Sequence, residues 1–245
     1  MLGKKIRINK LKNKDGFYYF LAMDHQLSVG HKDVIHDIKK WMNFVNESNH
    51  LSGMALNYGS LKKLPANFNK VIIPQMIGAP SLFNKVEKTQ TIKFKSALRY
   101  SSDLFSLQIN FENEDSLKQF NLVCKLINKC DSLEIPTLLM INLKNPAEYN
   151  TANFINYIKY CDEIGADLVK TPLPNDVNKN LDYLKSIVKN KYDLLLAGGS
   201  QSDNFMDDCR IAKKIGFKGL CVGRNIFESN NPEKINEQVC QIFKI

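Results

Sequence analysis

Arginine is scarce in this chain: only Arg7, Arg99, Arg210 and Arg224 stand among its 34 basic residues. The formal net charge of +9 therefore rests on lysines, and these are scattered among acids and asparagines. No basic run with interleaved aromatics occurs, so a nucleic-acid partner is not expected. The six cysteines (Cys124, Cys130, Cys161, Cys209, Cys221, Cys240) show no CxxC spacing and no framework for a small secreted fold. In their apolar contexts they read as buried, reduced thiols, which points to the cytoplasm. No run approaches the roughly 20 apolar residues of a membrane span. The opening MLGKKIRINKLKNK lacks the apolar core of a secretory signal. A GxGxxG after the first strand is missing, as is any Pro- or Ser-rich linker, so residues 1–245 are expected to form one domain. His31, His36 and His50 show no metal-ligand spacing, and neither a metal nor a cofactor is expected.

What is present is a regular alternation. Hydrophobic residues make up 44% of 245, enough for one large α/β domain. Short apolar runs at 17–23, 54–56, 71–76, 104–109, 137–141, 166–169, 193–197 and 219–222 predict strands. Residue 74 is a proline, unusual in a central strand. Helical spacing predicts helices over 34–46, 92–100, 116–130, 154–164, 177–189, 204–215 and 232–243, with a short extra one at 226–229. Gly165 stands where a helix C-cap glycine is expected. Eight βα units imply a parallel sheet with right-handed crossovers. At this length they match a (β/α)8 TIM barrel, with a doubly wound open sheet as the alternative.

Barrel enzymes carry their chemistry at the C-terminal strand ends. Those ends are Asp24-His25, Asn57, Gln75, Asn110, Asn142, Lys170, Gly198-Gly199-Ser200 and Gly223-Arg224. Lys170 is read as the tip of the sixth strand, where burial disfavours the charged form of an amine. A neutral amine attacks carbonyls to give a Schiff base. The alternative is a surface lysine just past a strand. Asp24 across the mouth fits a proton relay, or a cap of the first loop. His25 fits a general acid or base, or a solvated structural role. Gly-Gly-Ser and Gly-Arg-Asn follow the seventh and eighth strands, the frequent phosphate position of such barrels. Glycines there let backbone N–H groups approach a phosphate, and Arg224 offers a bidentate contact. The glycines also fit plain turns.

LAMDHQLSVG, IGADLVKT, LLLAGGS and GLCVGRNIF resemble motifs of the archaeal-type class I fructose-bisphosphate aldolases. The relatives of that family include amino-dideoxy-heptulosonate synthases and thiolases acting on phosphorylated autoinducer-2. The resemblance runs over nearly the whole chain. It implies a (β/α)8 fold, a Schiff-base lysine at Lys170, an acid–base aspartate at Asp24, and phosphate contacts from Gly198, Gly199, Ser200, Gly223 and Arg224. It also implies a homo-oligomer, often a decamer. The family's fifth strand ends in a Tyr-Pro-Arg-Gly-like run whose tyrosine protonates the enamine carbon. Here the matching run is Asn142-Leu143-Lys144-Asn145, and an asparagine has no titratable proton. The first loop reads Asp-His-Gln where the family has Asp-His-Gly. The expected activity is a class I aldolase or transaldolase-type lyase on a phosphorylated ketose, with Asn142 touching substrate and His25, water or the second substrate giving the proton. The alternatives are a thiolase-type acyl transfer using Lys170, His25 and coenzyme A, and a sugar-phosphate-binding protein without turnover.

Overall fold

Tyr18, Phe20 and Ala22 alternate along the first strand with Tyr19, Leu21 and Met23, and all six are buried. A strand apolar on both faces belongs to a sheet covered on both sides, the parallel arrangement. A computed structural model describes residues 2–25, 27, 37–79, 88–111, 116–143, 145–189 and 191–244. In it the first set turns inward, joining Ile73, Leu138, Leu168, Leu195 and Cys221 in an inner core. The second set packs outward against the apolar faces of the helices.

The strands are β1 (Tyr18–Ala22), β2 (Gly53–Leu56), β3 (Val71–Pro74), β4 (Phe105–Asn110), β5 (Thr137–Asn142), β6 (Leu168–Thr171), β7 (Leu194–Leu196) and β8 (Gly219–Val222). They form one sheet in the order β3-β2-β1-β8-β7-β6-β5-β4, and every pairing is parallel. The circle closes between β3 and β4, where Gln75 bridges Ser106 and Met76 N donates to Ser106 O at 2.8 Å. The fold is a (β/α)8 barrel. Pro74 is accommodated at this closure. Gln75 N points to β2, bonding Leu56 O at 2.9 Å, so the proline nitrogen faces β4, where the pairing is sparse. Among the described residues no helix is long and apolar enough to cross a membrane.

Each strand lies within two residues of its expected bounds, and the differences have local causes. Lys170 is not past the tip of a strand ending at 169; it is the third residue of β6. The preceding helix, Thr151–Glu163, ends in a Schellman motif: Gly165 N bonds Asp162 O at 2.9 Å and Ala166 N bonds Cys161 O at 3.0 Å. That engages Ala166, and Asp167 turns its carboxylate to Thr137 N at 2.8 Å, so β6 starts at Leu168. The same helix starts earlier than 154 because Asn150 caps it, accepting from Asn153 N. The stretch 177–189 is divided into a 3-10 turn, Val177–Lys179, and a helix, Leu181–Val188. The helix expected at 92–100 is only Phe94–Leu98. The short one after β8 is Arg224–Phe227, two residues early, because Gly223 O already accepts from Ile226 N and Phe227 N. The helix expected at 34–46 is described from Ile38 to Glu47, capped by Asp37; residues 34–36 lie outside the described residues, as do His31 and His36. A helix that periodicity did not show, Leu2–Lys10, lies under the barrel, with Ile8 and Leu11 against the inner core.

Candidate active site

The period of two that buries Leu138 and Leu168 inward also turns Met140, Asn142 and Lys170 inward, one step nearer the C-terminal mouth. Gln108 pairs with Met140 and Met140 with Lys170, so these three stand abreast above the apolar layer. Lys170 is 6% exposed. Asp24 and His25 follow β1, and Asn57 Nδ2 donates to the Asp24 carbonyl at 2.8 Å, which fixes the turn that presents them. A cavity of about 310 Å³ opens here, lined by Asp24, His25, Asn57, Lys88, Gln108, Asn142 and Lys170 with Gln75, Met140 and the apolar Leu27, Ile77, Gly78 and Ala79.

A hydrogen-bonded chain crosses its floor. Gln108 Nε2 donates to Asp24 Oδ2 at 3.3 Å. Gln108 Oε1 accepts from Asn142 Nδ2 at 3.2 Å and from Lys88 Nζ at 2.9 Å. Burial pushes the Lys88 ammonium down to about 8, against a smaller upward pull from Asp24. His25 Nδ1 lies 3.7 Å from Asp24 Oδ1. Burial lowers the imidazole's pKa, and Asp24 opposes the shift while Lys170 and Arg224 reinforce it. On β8, Cys221 shares a hydrogen bond with Lys170, yet burial keeps its thiol above the usual value.

The loops after β7 and β8 are locked together beside this cavity. Asn225, 3% exposed, donates Nδ2 to Gly198 O at 2.6 Å and accepts from Ser202 N at 3.0 Å. Gly199 has φ +61 and open space where a side chain would stand. A Cβ on Gly223 would lie 2.5 Å from both Ala22 O and His25 Cε1, so the eighth loop presses against the first. Arg224 Nε is buried with no hydrogen-bond partner among the described residues.

Of the residues expected from sequence, Asp24, His25, Asn142 and Lys170 meet in the cavity. Gly198, Gly199, Ser200, Gly223 and Arg224 do not line it; Gly223 lies against His25, and Gly198 is joined to the same loop through Asn225. Gln75 lines it but turns its amide to Ile77 O at 2.7 Å. Asn110 donates its backbone N–H to Gln119 Oε1 at 2.7 Å and does not line the cavity. Sequence reasoning missed Lys88, Gln108 and the locking role of Asn225. Gln108 was within reach, two residues before Asn110 on the same face. His50, isolated in sequence, comes together with Asp15 and Cys240, their ligand atoms within 4.8 Å of one another. These three lie toward the opposite end of the barrel, and burial pushes the Cys240 thiol up to about 12.

A parallel barrel with a buried lysine facing a polar cavity at its C-terminal mouth is an enzyme scaffold. More narrowly, the chain belongs to the DeoC/LacD family of aldolases, whose family model matches residues 18–229. It is 22% identical over 236 residues to a 2-amino-3,7-dideoxy-D-threo-hept-6-ulosonate synthase of Halobacterium salinarum, covering 94% of this chain and 87% of that one. It is also 22% identical to a 3-hydroxy-5-phosphonooxypentane-2,4-dione thiolase of Escherichia coli, covering 94% and 78%. In fold it is similar to a Schiff base-forming fructose-1,6-bisphosphate aldolase, with a TM-score of 0.85 at 16% identity over 98% and 99% of the two chains.

Proposed function

We propose that the protein is a Schiff-base aldolase or transaldolase-type lyase for a phosphorylated ketose. Lys170 Nζ, as the free amine, adds to the ketone carbon, and loss of water gives an iminium. The iminium draws the electron pair of the adjacent carbon–carbon bond as the neighbouring hydroxyl gives up its proton. An aldehyde leaves and an enamine stays on Lys170. Asp24 and His25 relay protons through addition and dehydration. His25, its pKa lowered by burial, enters near neutral pH as the neutral imidazole. The loop Gly198-Gly199-Ser200 with Gly223 and Arg224 holds the phosphate. Arg224 Nε, without a partner among the described residues, and the close approach that the glycines permit support that assignment.

The observation that carries the reading is Lys170 itself, buried on the inward face of β6 and opening onto a sugar-sized cavity beside Asp24 and His25. Borohydride reduction with fructose 1,6-bisphosphate or dihydroxyacetone phosphate is expected to leave a mass adduct on the Lys170 peptide and none in Lys170→Met. Absence of an adduct with every phosphorylated ketose tried would sink the reading. Asn142, held by its amide to Gln108 where the family has a proton-donating tyrosine, favours one second reading, acyl transfer to coenzyme A. Product formation that depends on coenzyme A separates the two.

A further inference from the structure

We propose that Lys88 is the acid–base group that protonates the enamine carbon, standing in for the tyrosine that position 142 lacks. This rests on the Schiff-base reading of Lys170 and extends it.

Lys88 is placed by a built support. Its chain runs directly into Thr89–Gln90, which pairs antiparallel with Ile77–Gly78 above the closure of the barrel. That hairpin is pinned to the barrel: Gln75 Nε2 bonds Ile77 O at 2.7 Å, Thr91 N bonds Met76 O at 2.9 Å, and Thr91 Oγ1 bonds Gln75 O at 3.1 Å. From there the side chain reaches into the cavity, where Nζ and Asn142 Nδ2 share one acceptor, Gln108 Oε1, at 2.9 and 3.2 Å. Two donors on one oxygen are neighbours, so the ammonium stands beside the position from which a tyrosine at 142 would act. Lys170 lines the same cavity.

The chemistry of the partners favours a working group over a structural one. A buried lysine kept for stability pairs with a carboxylate. The hydrogen bond of Lys88 is to a neutral amide, and Asp24 acts on it only as a more distant charge through the same glutamine. His25 and Lys170 are the other titratable side chains lining the same cavity. With a pKa pushed down to about 8 by burial, the amine and ammonium forms are both accessible near neutral pH, as acid–base catalysis requires.

The step balances with one proton. Neutral Lys88 takes the hydroxyl proton as the carbon–carbon bond breaks and the aldehyde carbonyl forms. The enamine double bond then supplies the pair for a new C–H bond, and the Lys88 ammonium returns the proton. The iminium so regenerated is hydrolysed, freeing Lys170 and the ketone.

The test uses dihydroxyacetone phosphate with the full-length protein. Wild type is expected to form the borohydride adduct on Lys170 and to exchange carbon-bound hydrogen of the probe with solvent deuterium. Lys88→Met should keep the adduct, which also reports an intact pocket, and lose exchange by about 10²–10⁴-fold. Lys88→Arg, which keeps the charge without a titratable proton, should not restore it. The limb of the exchange–pH profile near pH 8 should vanish in both variants. An adduct with undiminished exchange in Lys88→Met overturns the proposal alone, and so does recovery by Lys88→Arg, which would mean a merely positioned cation. Loss of adduct and exchange together would make Lys88 a positioning residue and also overturn it. A wild type that forms no adduct removes the Schiff-base reading and the role of Lys88 with it.

Discussion

His25 sits among charges of both signs, with Asp24 favouring its cation and Lys170 and Arg224 opposing it, while burial outweighs them all. The folded protein therefore holds it neutral at a pH where the unfolded chain, with a pKa near 6.5, begins to bind a proton. The unfolded state then takes up more protons as pH falls, so stability is fully present above about 6.5 and is lost on acidification through the lowered folded value. His25→Gln removes this term. Urea midpoints of wild type should fall more steeply than those of His25→Gln below about pH 6.5, and parallel curves would contradict the assignment. Lys170 and Asp24 were legible as strand-end residues because the apolar period fixes which positions meet the mouth. Lys88 was not, since it lies between two strands where no period operates and is one lysine among many. Only the fold places its amine against Gln108 on β4.

The loops after β7 and β8 work as one element because Asn225 bonds across them to Gly198 and Ser202. Asn225→Ala deletes both bonds at a buried site and leaves their partners unsatisfied, costing about 1–3 kcal/mol. If these loops hold the phosphate, the same variant should raise KM for a phosphorylated ketose while the borohydride adduct on Lys170 still forms at saturating probe. An unchanged KM would separate loop packing from phosphate binding. The N-terminal helix Leu2–Lys10 is a second case. Lys4 Nζ reaches Asp131 at 2.5 Å and Asp167 at 2.8 Å, and Asp167 holds the start of β5 through Thr137. Burial alone would lower the pKa of Lys4, but its bonds to the two carboxylates raise it overall. Lys4→Met should lower stability by about 1.5–3 kcal/mol, the range for hydrogen bonds to charged groups, read from urea midpoints near neutral pH. This helix escaped sequence reading because LGKKIRINK is mostly basic and polar, and its apolar positions match no full amphipathic stripe. What orders it is tertiary: Ile8 and Leu11 close the bottom of the inner core.

At the scale of the molecule, eight repeated βα units at this length pointed to the barrel and left a doubly wound open sheet as the alternative, because a strand buried on both faces and followed by a helix has few other solutions. They said nothing of how the circle closes. β4 pairs with β5 along its whole length, Phe105–Asn110 against Thr137–Asn142, whereas β3 meets β4 through the Gln75–Ser106 bridge and the bond from Met76 N. Pro74 adds no donor on that side. Local opening follows the sparsest hydrogen bonding, so the barrel should open first between β3 and β4. Amide exchange followed by mass spectrometry is expected to label peptides spanning 71–79 before those spanning 137–142 or 168–171. The cavity straddles this closure, with Gln75 and Ile77 on one side and Gln108 and Asn142 on the other. A sugar phosphate trapped on Lys170 would touch both sides, and a ligand bound only to the closed form stabilises it. Reduction with borohydride and dihydroxyacetone phosphate should therefore slow exchange at 71–79 more than in the helix Leu2–Lys10, which lies under the barrel, away from its C-terminal mouth. Equal protection at both places, or a closure that exchanges no faster than β5 in the free protein, would refute the weak-seam account.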